Sequence, residues 1–149
     1  MRAPSLLVRD VAVHTPVTAL TSETITDCAR RMHAEHVGCL VVVENTDGTP
    51  FPVGMLSDRD IAIEVVAFGL DPKALTAGDV MSGKPAVVEE DDDLLDVLAR
   101  MRERGARRLP VTRPDGALVG VIALDNLLEA LAEQLDGDRD LAAEIFTLF

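Results

Sequence analysis

The 149 residues suffice for one domain or for two small units sharing a core, and with 48% apolar but only 3% aromatic residues that core must be built from Val, Leu, Ile, Ala and Met. A formal net charge of −12, with most of the excess in the second half, repels the backbone of DNA or RNA and argues against nucleic acid as a partner. The composition is neither that of a disordered chain nor of a low-complexity one.

At the N-terminus the apolar run 6–8 is broken by Arg9 and Asp10, which is not the pattern of an export signal. No apolar stretch reaches the length of a bilayer span, so the expectation is a soluble, cytoplasmic protein with no membrane partner. In such a reducing compartment Cys28 and Cys39 read as small buried hydrophobes rather than a disulfide.

From Asp10 onward the chain repeats itself. At an offset of 69, Asp10 meets Asp79, Val11 meets Val80, Pro16 meets Pro85, Asp27 meets Asp96, Arg31 meets Arg100, Met32 meets Met101, Leu40 meets Leu109 and Val42 meets Val111. Past the next turn the offset is 66, and Val53 and Gly54 meet Val119 and Gly120. A change of offset at a turn is where insertions are tolerated, so the pattern predicts two copies of one motif. The copies span residues 8–68 and 79–135, with a linker at 69–78 broken by Gly69, Pro72 and Gly78. A helical tail at 136–149 follows, in which Leu141, Ile145, Phe146 and Phe149 call for a partner surface.

Each copy reads as helix, strand, strand, helix, an α/β (α+β) class. After a Pro-containing lead-in (Thr15, Pro16, Val17 or Lys84, Pro85, Ala86), Ser22 or the run 91–93 supplies a helix cap. Ile25, Cys28, Ala29 and Met32 form the apolar stripe of the first helix, and Leu94, Val97, Leu98 and Met101 that of its counterpart, which Gly105 closes. Strands at 39–44 and 108–112 carry Leu and Val runs that suggest burial on both faces. Turns at Asp47-Gly48 and Asp115-Gly116 lead to strands at 53–57 and 118–123, then to helices at 60–68 and 126–135.

The stretch 53–60, VGMLSDRD, carries the chemistry. A strand passes directly into a helix there, and Ser57, Arg59 and Asp60 stand beside the unpaired N–H groups and positive end of the helix dipole. That setting suits a phosphate or a sugar hydroxyl. The plain alternative is that Asp58 and Asp60 only favour the helix start, and that Arg107 and Arg108 are a solvated strand end.

These residues are shared with a known family. With GMLSDRD after a hairpin, RRLPV in the second copy, the DVM lead-in at Asp79, Val80 and Met81, and the whole repeat, the chain resembles a stand-alone tandem pair of cystathionine-β-synthase (CBS) domains. The resemblance covers about residues 8–135. It implies a pseudo-twofold pair with clefts that in this family often bind AMP, ATP or S-adenosylmethionine, and it implies homodimers. Carried over residue by residue, it makes Ser57, Arg59 and Asp60 the sugar and phosphate contacts, with Lys84, Pro85, Ala86, Arg107 and Arg108 completing the site from the opposite copy. An ionised Asp accepts both hydrogen bonds of a ribose diol, and a guanidinium fork suits phosphate. In the second copy the motif positions are Ala123 and Asn126, a departure that weakens the second cleft.

Other chemistries are poorly represented. Glu89, Glu90 and Asp91 to Asp93 cannot converge on one cation, and Cys28, His33, His36 and Cys39 lack the paired spacing of a zinc site. No nucleophile elbow or phosphate loop is present, so catalysis is not expected. Two readings remain: a regulatory adenosine-nucleotide sensor that modulates a partner protein, with no cofactor required, and a ligand-free scaffold acting through dimerisation or association with another protein.

Overall fold

A computed structural model describes residues 6–134. The first helix of each copy starts at a side-chain cap: the Thr24 hydroxyl accepts from the Asp27 N–H at 3.2 Å, and the Asp93 carboxylate from the Leu95 N–H at 2.8 Å. These caps open α1 (Ile25–Glu35) and α4 (Leu94–Arg104). Ser22 is therefore not the cap; it stands two residues early, within the turn that Glu23 closes by accepting the Leu20 N–H. Both helices end in the left-handed region, at His36 (φ 57°) and Gly105 (φ 62°). Ile25, Cys28 and Met32 are buried on α1, whereas Ala29, on the flank of that stripe, is exposed.

Each copy builds a sheet with one strand more than the hairpin expected. In the first, β1 (Thr18–Leu20), β2 (Cys39–Thr46) and β3 (Thr49–Ser57) lie in that order, with β1 parallel and β3 antiparallel to β2. In the second, β4 (Val88–Glu89), β5 (Arg108–Thr112) and β6 (Leu118–Ala123) repeat the order, β4 parallel to β5. The central strand is buried on both faces, as Leu40, Val41, Val42 and Val43 are all 3% exposed or less. The hairpin is also longer than its pattern: β3 begins at Thr49 and contains Pro50 and Pro52. As an edge strand it tolerates residues that cannot donate to a ladder.

The second helix of the first copy is short. After α2 (Asp58–Ile61) the chain widens into a π-helical turn, Ala62–Val66, and stops at Gly69. Another short helix, α3 (Ala77–Val80), spans the boundary between the expected linker and the second repeat. The second copy instead runs on as α5 (Leu124–Gln134); residue 135 and the tail at 136–149 lie outside the described residues.

The chain packs as two units that exchange the segments leading into the repeats. One contains residues 15–85 and 116–118, with a core of Ala19, Ile25, Cys28, Leu40, Val42, Leu56 and Val65. The other contains 86–115 and 119–134 together with the described N-terminal residues 6–14, around Val88, Leu94, Leu98, Leu109, Ile122 and Leu127. Residues 8–14 thus lie with the second repeat, where Val8 is fully buried, and residues 79–82 lie with the first.

Candidate functional site

The site begins where β3 becomes α2. Ser57 is the N-cap: its hydroxyl accepts the Asp60 N–H at 3.0 Å, while Asp60 Oδ2 accepts the Ser57 N–H at 2.9 Å. This reciprocal pair is a capping box, so the structural role anticipated for a carboxylate at the helix start is present. The Asp58 N–H donates to the Gly38 carbonyl at 2.8 Å and ties the junction to the start of β2.

Asp60 also faces space. A cavity of about 430 Å³ is lined by Asp60, Glu64, Leu70, Leu75, Asp79, Val80, Met81 and Ser82. All of these residues belong to the unit of the first repeat. The cavity therefore combines apolar side chains with carboxylates, the combination that can accept an aromatic base beside a hydroxyl-bearing sugar.

Of the other residues singled out in the sequence, Arg59 is exposed, and its N–H bonds to Asp58 Oδ1 at 2.8 Å. Lys84 is exposed and Pro85 half-buried in the same unit; Ala86, Arg107 and Arg108 belong to the other. There Ala86 packs against the core, Arg107 pairs with Asp125 at 3.4 Å, and Arg108 opens β5 with its side chain exposed. Leu70 and Leu75 were missed because the sequence reads 69–78 as linker, and Asp79 to Ser82 because it assigns them to the second repeat. The DVM lead-in at Asp79 was a usable signal, since it marked residues that recur for a structural reason.

The second copy reproduces the frame without the side chains. The Leu124 N–H donates to the Arg107 carbonyl at 2.8 Å, the counterpart of Asp58 on Gly38. Ala123 offers no hydroxyl there, and Asn126 is exposed. A second open cavity, about 520 Å³, is lined by Thr15 to Thr18, Glu23, Arg31 and Glu35. Its cation is already matched: Arg31 pairs with the Glu23 carboxylate and donates to the Thr18 carbonyl at 2.8 Å. The Arg31 guanidinium holds the Glu23 carboxyl below the usual carboxylate range. Among the described residues no group of three or more His, Cys, Asp or Glu side chains comes together as for a metal ion. Burial pushes the Cys28 thiol up to about 11.

A three-stranded sheet with a parallel first strand, repeated and completed by an exchanged lead-in, defines a tandem-repeat α/β class. The CBS domain family model matches residues 8–67 and 77–133, and the chain belongs to that family. An uncharacterised protein of Methanopyrus kandleri is 32% identical over 125 residues, which are 84% of this chain but 62% of that protein, so the chain spans less than two thirds of this relative. Hypoxic response protein 1 of Mycobacterium tuberculosis is 33% identical over 111 residues, covering 74% of this chain and 75% of its own. Its crystal structure, which has two coordinated zinc ions, superposes with a TM-score of 0.73 at 30% identity over 83% of this chain and 98% of that one. The CBS domain pair of protein MJ0100, in complex with 5′-methylthioadenosine and S-adenosyl-L-methionine, shares the fold with a TM-score of 0.75 at 21% identity, over 88% of this chain and 99% of that one.

Proposed function

We propose that this chain is a non-catalytic regulatory module of the cytoplasm that binds an adenosine-containing small molecule beside Asp60 and thereby modulates a partner protein. The observation that carries the reading is the cavity at the Ser57–Asp60 junction, with an ionisable oxygen pair at its rim and Leu70, Leu75, Val80 and Met81 in its walls. The capping box does not compete with it. Asp60 uses Oδ2 on the Ser57 N–H, and this bond pins the carboxylate in place to meet a ribose diol. Support from the fold is analogy: a pair of the same architecture holds 5′-methylthioadenosine and S-adenosylmethionine. Arg59, Lys84, Pro85, Ala86, Arg107 and Arg108 are proposed as the remaining ligand contacts. Because Asp60, Glu64 and Asp79 all line the cavity, its rim favours a neutral or cationic adenosine derivative over a triphosphate.

A second reading has its own observation. Val66 is 69% and Phe68 70% exposed beside the π-helical turn, which favours a scaffold acting through homodimerisation. A thermal-shift panel of S-adenosylmethionine, 5′-methylthioadenosine, AMP and ATP separates the two. The sensor predicts a rise in melting temperature with at least one compound that is lost in Asp60→Ala; a flat response to all four contradicts it and leaves the scaffold.

A further inference from the structure

In both units the edge strand of the repeat receives the exchanged lead-in at a glycine, yet the two attachments differ. In the unit of the second repeat, Val13 pairs with Val121 through two backbone bonds, the Val13 N–H to the Val121 carbonyl at 2.9 Å and the return bond at 3.0 Å. A Cβ on Gly120 would stand 2.6 Å from the Val13 carbonyl oxygen, so no side chain fits between strap and strand. In the other unit Ser82, the repeat counterpart of Val13, sends its N–H to the Met55 carbonyl at 2.9 Å. The return bond does not reach its carbonyl. The Met55 N–H is met at 3.3 Å by the Ser82 hydroxyl, which also donates to the Met55 carbonyl at 3.2 Å. Gly54 makes the seat, since a Cβ there would stand 2.8 Å from the Ser82 carbonyl oxygen and would collide with the Met81 sulfur.

One strap is thus fastened by two backbone bonds and the other by one backbone bond and a rotatable hydroxyl on an exposed side chain. The hydroxyl-fastened strap is also the one that lines the cavity, where Asp79, Val80, Met81 and Ser82 join Asp60 and Glu64. Its attachment point on β3, Met55, lies two residues before Ser57. Beyond Ser82 the chain runs through Gly83, Lys84 and Pro85 into the second repeat. We infer that Met81 and Ser82 are ligand-site residues and that the strap they form reports occupancy of the cavity to the second repeat, an inference that rests on the adenosine-site reading above. A molecule held between Asp60 and Met81 favours the fastened strap, and by linkage the fastened strap favours the molecule.

The test is amide hydrogen exchange on the full chain, free and saturated with S-adenosylmethionine or 5′-methylthioadenosine, with affinities from calorimetry. The expected result is at least tenfold slower exchange at the Met55 and Ser82 amides and no such change at Val13 and Val121. Ser82→Ala then weakens binding about fivefold, and Ser82→Thr, which keeps the hydroxyl, restores it. Binding of either compound with unchanged Met55 and Ser82 amides, or with equal affinity in Ser82→Ala, overturns the strap while leaving the adenosine site standing. An absence of binding heat with both overturns the site itself and the strap with it.

Discussion

Glu23 and Arg31 show what a charged pair does in this chain. Arg31 sits on α1 and bridges to Glu23 and to the Thr18 carbonyl of β1, so one guanidinium fastens helix, turn and strand; in the second copy Arg100 repeats the move on the Val87 carbonyl at 2.8 Å. Because Arg31 lowers the Glu23 pKa in the folded state, the pair stabilises the fold above the unfolded carboxyl's value of 4.5 and loses that contribution as the pH falls through the lower folded value. Urea melts of the wild type should show a midpoint falling below about pH 4.5. Glu23→Gln should be less stable at pH 7 and should fall less steeply in acid. Equal acid limbs for the two proteins would show that Glu23 carries no linked proton.

At the scale of elements the two repeats differ most after their motifs. In the first, α2 and the π-helical turn leave Ile63, Val66, Phe68 and Leu70 exposed, whereas α5 buries Leu127 and Leu131 in its unit. If the exposed set is an association surface, the wild type sediments as a dimer at micromolar concentration and Val66→Glu combined with Phe68→Glu sediments as a monomer. A wild type that is monomeric throughout refutes that use of the face. The repeat, both first helices and the apolar central strands were legible, because periodicity and continuous burial leave marks in sequence. Three features left none. A parallel strand of two or three residues, β1 or β4, is too short to show alternation; Pro50 and Pro52 disguise an edge strand as a loop; and Ser22 imitates a cap that Thr24 supplies. At the site, Ser57 and Asp60 stood out because motif and helix start coincide, while Asp79 to Ser82, which the repeat assigns to the second copy, are brought to Asp60 by the exchange of lead-ins.

Across the whole molecule, two similar repeats differ at the positions that carry the chemistry. The first repeat has the hydroxyl–carboxylate pair, the cavity and the strap held partly by the Ser82 hydroxyl; the second keeps the backbone frame but has Ala123 and Asn126 at the motif positions. One ligand per chain should therefore bind, and at about a hundredfold excess over its Kd it should add roughly 2.7 kcal/mol to the stability of the fold. The most direct measurement is isothermal titration calorimetry of the wild type, Asp60→Ala, Arg108→Ala and Asn126→Ala with whichever of the four adenosine compounds gives the largest thermal shift. The account predicts a single site per chain, lost in Asp60→Ala, weakened in Arg108→Ala and nearly unchanged in Asn126→Ala. Two equal sites per chain, or equal losses from Asp60→Ala and Asn126→Ala, would contradict it.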